Sequence, residues 1–195
     1  MKINLVAWAH DFALERFAET ARLPEPALAV DATVGNGHDA LFLAELVGAR
    51  GRVAGFDVQA PAIAATRERL SAHGLSERVE LHLRGHETMA ETLGAAWRGR
   101  TRAVFFNLGY LPKSDRGTAT RPETTLPALD AAWSLLAPGG FISLTVYTRH
   151  AGGFEESARV AEWLEKTRSR AEVLALGAHN PVEPWWAGVT KPFER

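Results

Sequence analysis

The sequence predicts a doubly wound α/β fold: a seven-stranded, mostly parallel sheet with helices on both faces and an antiparallel hairpin at the C-terminal end. Three observations predict it. Short apolar runs alternate with helical stretches of about 10–15 residues, the mark of βαβ units. Glycines and prolines punctuate the boundaries between them. The last two strand-like runs are separated only by "HNPVEP", too short for a crossover helix, so they pair antiparallel.

The elements follow in order. Residues 5–21 bring Leu5, Trp8, Phe12, Phe17 and Ala21 to helical spacing, with Asp11, Glu15, Arg16 and Glu19 largely opposite, so a leading segment 1–27 carries an amphipathic helix. "LAVDA" (28–32) is a first strand, followed by a Gly-rich turn and the helical "DALFLAELVG". "RVAGFDV" (52–58) is a second strand, after which Pro61 starts a helix that Gly74 closes. "RVELHL" (78–83) is a third strand, and a helix is expected over 87–97. "RAVFFN" (102–107) is the fourth strand, and a helix near 123–136 stops at Pro138-Gly139-Gly140. "FISLTVY" (141–147) is the fifth, followed by a helix over 154–168. "AEVLALGA" (171–178) and "WWAGVTK" (185–191) form the hairpin.

The chain has 195 residues, enough for one domain with a full core, and no linker or repeat divides it, so residues 1–195 are read as one domain. With 46% hydrophobic and 23% charged residues it reads as an ordinary globular protein. Cysteine is absent, which excludes a disulfide framework and thiolate metal sites and suggests a reducing, cytoplasmic setting. The opening "MKINLVAWAHDFALERF" has too short an apolar run for a signal peptide or a membrane span. The formal charge of −1 argues against coating duplex nucleic acid, so any such contact should be small and local.

Ligands of doubly wound sheets sit beyond the carboxyl ends of the strands, where the winding direction switches. The first such turn carries Asp31, Thr33, Gly35, Asn36, Gly37, His38 and Asp39. Gly35 and Gly37 permit a tight turn and a close backbone approach. Asp57, ending the second strand about 20 residues on, can accept hydrogen bonds from both hydroxyls of a ribose. "GNGHDA" formally fits a dinucleotide fingerprint. Against that cofactor, Asp31 would face a pyrophosphate, there is no room for a second substrate domain, and no Tyr-x-x-x-Lys pair follows. A cofactor with a cationic ammonium and a sulfonium, S-adenosylmethionine, suits the anion better.

Asp-x-Thr-x-Gly-Asn-Gly, the acidic end of strand two, the "LAPGG" bend and the terminal hairpin resemble a class I methyltransferase with a Rossmann-like fold. More narrowly, "VDATVGNGHDALFLAEL", "GFDVQ", "GHE" and "FNLGYLPKSD" resemble the small bacterial family once labelled rRNA methylases and now associated with methylating 5-aminomethyl-2-thiouridine at the tRNA wobble position. The similarity runs from about Ala9-His10 to the C-terminus. It implies that Asn36, His38, Asp57, Gln59 and the Gly85-His86 pair line the S-adenosylmethionine site, with the ribose on Asp57 and the adenine at the end of strand three. It also implies a limited contact with the tRNA anticodon region.

In amino-methylating enzymes of this fold, strand four often ends in Asn-Pro-Pro-Tyr or a relative. Methyl transfer needs chiefly alignment of lone pair, methyl and sulfur. An Asn carbonyl can accept the target N–H and so aim the lone pair, while an adjacent aromatic can stack on a base. Asn107 and Tyr110 are accordingly expected to be catalytic, with Asn107 also beside the cofactor; a loop cap and a packing residue are the plainer alternative. Family members tend to read Gly-Gly-Asp-Lys-Ser in the following loop, where this chain has Lys113-Ser114-Asp115-Arg116. An alkylammonium must lose a proton before attack. Asp115 is the first candidate base and His150 the second, the latter by the resemblance, although Arg149 stands where the family has glycine. Lys113, Arg116, Arg121 and Arg149 could form a basic rim.

His10 is carried toward the site mouth by the same resemblance, with an ordinary structural His as the alternative. Glu155 and Glu156 read as favourable charges at a helix N-terminus. His82, Arg84 and His86 are placed on one face of strand three, without a third ligand for a metal, and no metal site is expected. Trp185-Trp186 suggests core packing with an edge or dimer contact, which leaves a homodimer open. The expected function is S-adenosylmethionine-dependent N-methylation of the tRNA wobble uridine. An rRNA or small-molecule N-methyltransferase, or a non-catalytic partner subunit, remains the alternative.

Overall fold

The computed structural model describes residues 4–23, 26–110, 119–177 and 183–193. Asn4 caps α1 (Leu5–Glu19), its side-chain oxygen accepting the Ala7 N–H at 3.2 Å. Then β1 (Leu28–Asp31), α2 (His38–Leu46), β2 (Arg52–Asp57), α3 (Ala60–Ala72) and β3 (Val79–Leu83) alternate. They are followed by α4 (Met89–Leu93), β4 (Thr101–Leu108), α5 (Pro122–Leu135), β5 (Leu136–Val146) and α6 (Gly153–Thr167), and by the hairpin β6 (Glu172–Leu176) and β7 (Trp185–Thr190).

The seven strands run in the order β3-β2-β1-β4-β5-β7-β6. The first five pair parallel, and β7 pairs antiparallel with both β5 and β6. The chain winds outward from β1 to β3, then returns to β4 on the other side of β1. The winding direction therefore switches between β1 and β4, which opens a crevice at their carboxyl ends.

Alternation along the buried strands divides the core into two layers. Phe105 and Trp186 join Phe12, Leu43, Leu70 and Phe141 beneath α1, α2 and α3. Phe106 and Trp185 join Met89, Leu129, Val160 and Trp163 beneath α4, α5 and α6. Both tryptophans of β7 are fully enclosed and bonded, Trp185 Nε1 to Ser157 Oγ at 2.8 Å and Trp186 Nε1 to Ser143 Oγ at 2.9 Å. The expected edge or dimer contact at this pair does not fit: β7 is an interior strand, and β6 forms the edge.

Two element boundaries differ from the sequence expectation. The helix expected over 87–97 is a 3-10 turn, His86–Thr88, followed by the five residues of α4, because Gly94 adopts φ 62° and turns the chain out. The fifth strand begins at Leu136 rather than 141. Gly139, at φ 78°, donates its N–H to the Lys191 carbonyl, and Gly140 accepts the Lys191 N–H, both at 2.8 Å, so pairing persists through the bend. Among the described residues no helix is long and apolar enough to cross a membrane.

Candidate active site

A cavity of about 880 Å³ lies at the carboxyl ends of β1, β2, β3 and β4, the upper range for small-molecule sites. It is lined from β1 and its turn by Asp31, Thr33, Gly35, Asn36, His38 and Asp39, and from β2 by Asp57, Val58 and Gln59. The end of β3 adds Arg84, Gly85 and His86, and β4 adds Asn107, Gly109 and Tyr110. His10 of α1, Thr120, Arg121, Tyr147 and Arg149 complete the wall.

The turn after β1 is held by the elements around it. Gly37 caps α2 with φ 78°, and a Cβ there would come within 2.9 Å of Thr66, so glycine is required on both counts. Asp57 Oδ2 accepts the Gly35 N–H at 3.0 Å, and its Oδ1 accepts the Gln59 N–H at 2.9 Å. From α3, Thr66 Oγ1 donates to the Gly35 carbonyl at 3.0 Å and Arg69 Nε donates to the Asn36 carbonyl at 2.7 Å. Arg69 Nη2 also lies 3.2 Å from His38 Nε2.

Asp31 is completely enclosed, with 0% of its surface exposed. Its Oδ1 accepts the Thr33 N–H at 3.1 Å, and among the described residues Oδ2 has no partner at hydrogen-bonding distance, although the Ala40 N–H, like that of Thr33, pulls the carboxyl down. Burial pushes its carboxyl well above the usual range, and the Asp39 and then Asp57 carboxylates push the same way. Burial also raises Asp57, against the pull of the backbone N–H groups bonded to it. His86, buried beside the Phe106 ring, is lowered by that burial and is held neutral.

On the other side of the crevice, Asn107 is fixed twice. Its backbone N–H donates to Thr33 Oγ1 at 2.8 Å, and its side-chain Nδ2 donates to Asp39 Oδ2 at 2.7 Å. Asp39 Oδ1 in turn lies 2.7 Å from His10 Nε2, and the His10 ring stacks on Phe42 at 3.8 Å. His10 therefore reaches the site from the leading helix, as the resemblance implied.

Tyr110 lines the cavity, and its strand end is tied by an antiparallel bridge to Ala119 and by the Thr120 N–H donating to the Gly109 carbonyl at 2.9 Å. His150 does not line the cavity. Its ring sits edge-on to Tyr110, 6.1 Å between centroids, with Nδ1 3.1 Å from the Ala151 carbonyl oxygen. Asp115, with Lys113, Ser114 and Arg116, lies outside the described residues. Of the expected basic rim, Arg121 and Arg149 are at the mouth, and Arg149 is paired with Glu183. His82 stands apart from the cavity, its ring stacked on Phe56 at 4.7 Å, while His86 lies beyond the end of β3 rather than on its face.

Two residues of this region were not recognised in the sequence. Tyr147, at the end of β5, lines the cavity, and burial and then the Asp39 charge raise its hydroxyl. Its position one strand over from Asn107 was the available signal. Glu156, expected as a favourable charge at a helix N-terminus, does lie in the first turn of α6 and is also completely buried, accepting from Thr120 Oγ1 at 2.7 Å and Thr125 Oγ1 at 2.6 Å. No local pattern announces those bonds.

The donor set suits a ligand with a cationic head and a hydroxyl pair. The open oxygen of Asp31 would meet the cation. The remaining lone pairs of Asp57 would accept hydroxyls, and Val58, 59% exposed at the wall, would cover a flat apolar ring. The same cavity carries, in Asn107, an acceptor on the opposite wall.

A family model described as "Putative rRNA methylase" matches residues 53–184. A chloroplastic tRNA (mnm(5)s(2)U34)-methyltransferase of Arabidopsis thaliana is 43% identical over 164 residues, covering 80% of this chain and 54% of the relative. The chain thus spans about half the length of that curated relative. A solved structure described as a putative rRNA methylase from Clostridium thermocellum is 36% identical, with a TM-score of 0.84 over 98% of this chain and 99% of that one. A methyltransferase structure from Streptococcus mutans, described as putative and in complex with SAH, is 31% identical, with a TM-score of 0.79 over the same shares, 98% and 99%.

Proposed function

The chain belongs to the family described as "Putative rRNA methylase" and is an S-adenosylmethionine-dependent methyltransferase, and from that premise we propose that it methylates an exocyclic amine of the tRNA wobble uridine, the 5-aminomethyl group of 2-thiouridine. The observation that carries the reading is that Asp31, with its Oδ2 unbonded among the described residues, and Asn107 line one cavity. One is an anion for the donor's cation; the other is an acceptor for a target N–H.

In this reading residues 1–195 act as one methyltransferase domain. S-adenosylmethionine, when bound, supplies a methyl group activated on a sulfonium. Asp31 takes the positive head of that molecule, and Asp57 takes the ribose hydroxyls. Thr33, Gly35, Asn36, Gly37, His38 and Gln59 shape the backbone around it, with Gly85 and neutral His86 at the adenine end. The Asn107 carbonyl accepts one N–H of the substrate amine and turns its lone pair toward the methyl. Tyr110 offers a ring for the base to stack on, worth about 1–3 kcal/mol. Arg121 and Arg149 contact phosphates locally, in keeping with a chain of formal charge −1.

The test is nucleoside mass spectrometry of tRNA from a strain lacking the gene, paired with methylation of that tRNA by the purified protein. Accumulation of 5-aminomethyl-2-thiouridine and its conversion in vitro are expected. An unchanged tRNA profile, or a change confined to rRNA or small metabolites, would reject the tRNA reading.

A further inference from the structure

The cavity holds more carboxylate than the methyl donor uses. Asp39 is the clearest case, because both of its oxygens are turned away from the turn it begins: Oδ2 accepts Asn107 Nδ2, and Oδ1 meets His10 Nε2, each at 2.7 Å. Its side chain is 11% exposed and that of His10 26%, so the pair is largely shielded from water.

An amide has two faces to offer, a donor and an acceptor, and rotation about its last torsion exchanges them. A carboxylate has only acceptors. Bonded to Asp39, the amide of Asn107 must turn its nitrogen toward α2 and leave its carbonyl for the cavity. The backbone of Asn107 is pinned independently, its N–H on Thr33 Oγ1 at 2.8 Å, so the side chain is the remaining freedom. Asp39 itself sits in the first turn of α2, and His10, flat against Phe42, holds its other oxygen from α1. Three elements far apart in sequence thus converge on one torsion.

We propose that His10 and Asp39 form a positioning pair that fixes the Asn107 amide with its carbonyl toward the substrate nitrogen, and so limits the site to nucleophiles that bring a hydrogen-bond donor. The inference rests on the reading of Asn107 as the aligning acceptor. It moves Asp39 from the cofactor side of the cavity to the substrate side. A free amide would present its NH₂ to the substrate for part of the time, and that face repels an N–H. An amide locked by Asp39 presents only the oxygen.

The pair predicts a defined set of losses. Asp39→Ala should lower kcat about a hundredfold, the scale of a misaligned reacting group, with S-adenosylmethionine affinity changed less than roughly threefold. Asp39→Asn should recover part of the rate, because its amide oxygen can still accept from Asn107. His10→Ala should give a smaller loss of kcat in the same direction. In an Asn107→Ala background, Asp39→Ala should add nothing, because the torsion it fixes is gone.

A second measurement needs no substrate. In ¹H–¹⁵N spectra of the unliganded protein, the side-chain NH₂ pair of Asn107, assigned by its loss in Asn107→Ala, should move and exchange faster with water in Asp39→Ala, and move less in His10→Ala. If Asp39→Ala does not fold, Asp39→Asn and His10→Ala carry both arms. Unmoved amide signals, losses that multiply in the double variant, or a loss of donor affinity in place of kcat would each overturn the proposal. If the tRNA assignment alone fails, the amide signals still shift.

Discussion

Among the described residues two carboxylates are wholly buried, and they are finished in opposite ways. Glu156, at the start of α6, has both oxygens satisfied by Thr120 and Thr125 at 2.7 and 2.6 Å. Asp31, at the end of β1, has one oxygen on the Thr33 N–H and the other open. Burial raises both carboxyls. The difference teaches where ligand binding is prepared. Glu156 fastens Thr120 to α5 and α6, and is complete without a ligand. In the function proposed above, Asp31 is an incomplete site that the donor's cation would finish.

The strongest challenge to that contrast is removal of Glu156. Glu156→Ala leaves the buried Thr125 hydroxyl and the half-buried Thr120 hydroxyl without their acceptor and should lower stability by about 2–4 kcal/mol, seen by chemical denaturation, while S-adenosylmethionine affinity holds. Loss of donor binding without loss of stability would reverse the roles assigned to the two carboxylates. Asp57 stands between the two cases, since both its oxygens already accept backbone N–H groups. Asp57→Ala should weaken S-adenosylmethionine binding about tenfold, about 1.4 kcal/mol, by calorimetry; unchanged binding would remove the ribose assignment.

The smallest effect is on pH dependence. The folded-state carboxyl of Asp31 is raised, so its contribution to stability is fully present below the unfolded value of about 3.9 and is lost as pH rises through the folded one. Unliganded wild type should therefore lose stability relative to Asp31→Asn as pH rises from about 4 toward neutrality. Comparing the two proteins cancels the opposite demand of His86, which burial keeps neutral and which opposes folding as pH falls. Parallel stability curves would mean that Asp31 is not strained in the fold.

The same contrast explains what the sequence could reveal. The Asp31 side of the cavity is written locally: one strand, two glycines and a second strand ending in Asp57. Local spacing carries that information, and the fold class follows from the alternation of runs. The Glu156 side is assembled over distance. Thr125 and Glu156 lie 31 positions apart, and Asp39 and Asn107 lie 68 apart. No window of sequence contains such pairs, so Glu156 read only as a favourable charge at a helix N-terminus, without its two threonine partners. Gly94 and Gly139 misled for a related reason. A glycine with positive φ ends α4 in one place and lets β5 continue in the other, and only the hydrogen bonds around it decide which.

The central claim is that the open carboxylate belongs to the ligand and the closed one to the fold. It is tested most directly by titrating S-adenosylmethionine calorimetrically into wild type, Asp31→Asn and Glu156→Gln under one set of conditions. The account predicts near-equal affinity for wild type and Glu156→Gln, and a loss of about a hundredfold for Asp31→Asn, the scale of a buried charge pair with one partner removed. Equal affinity for wild type and Asp31→Asn would contradict it.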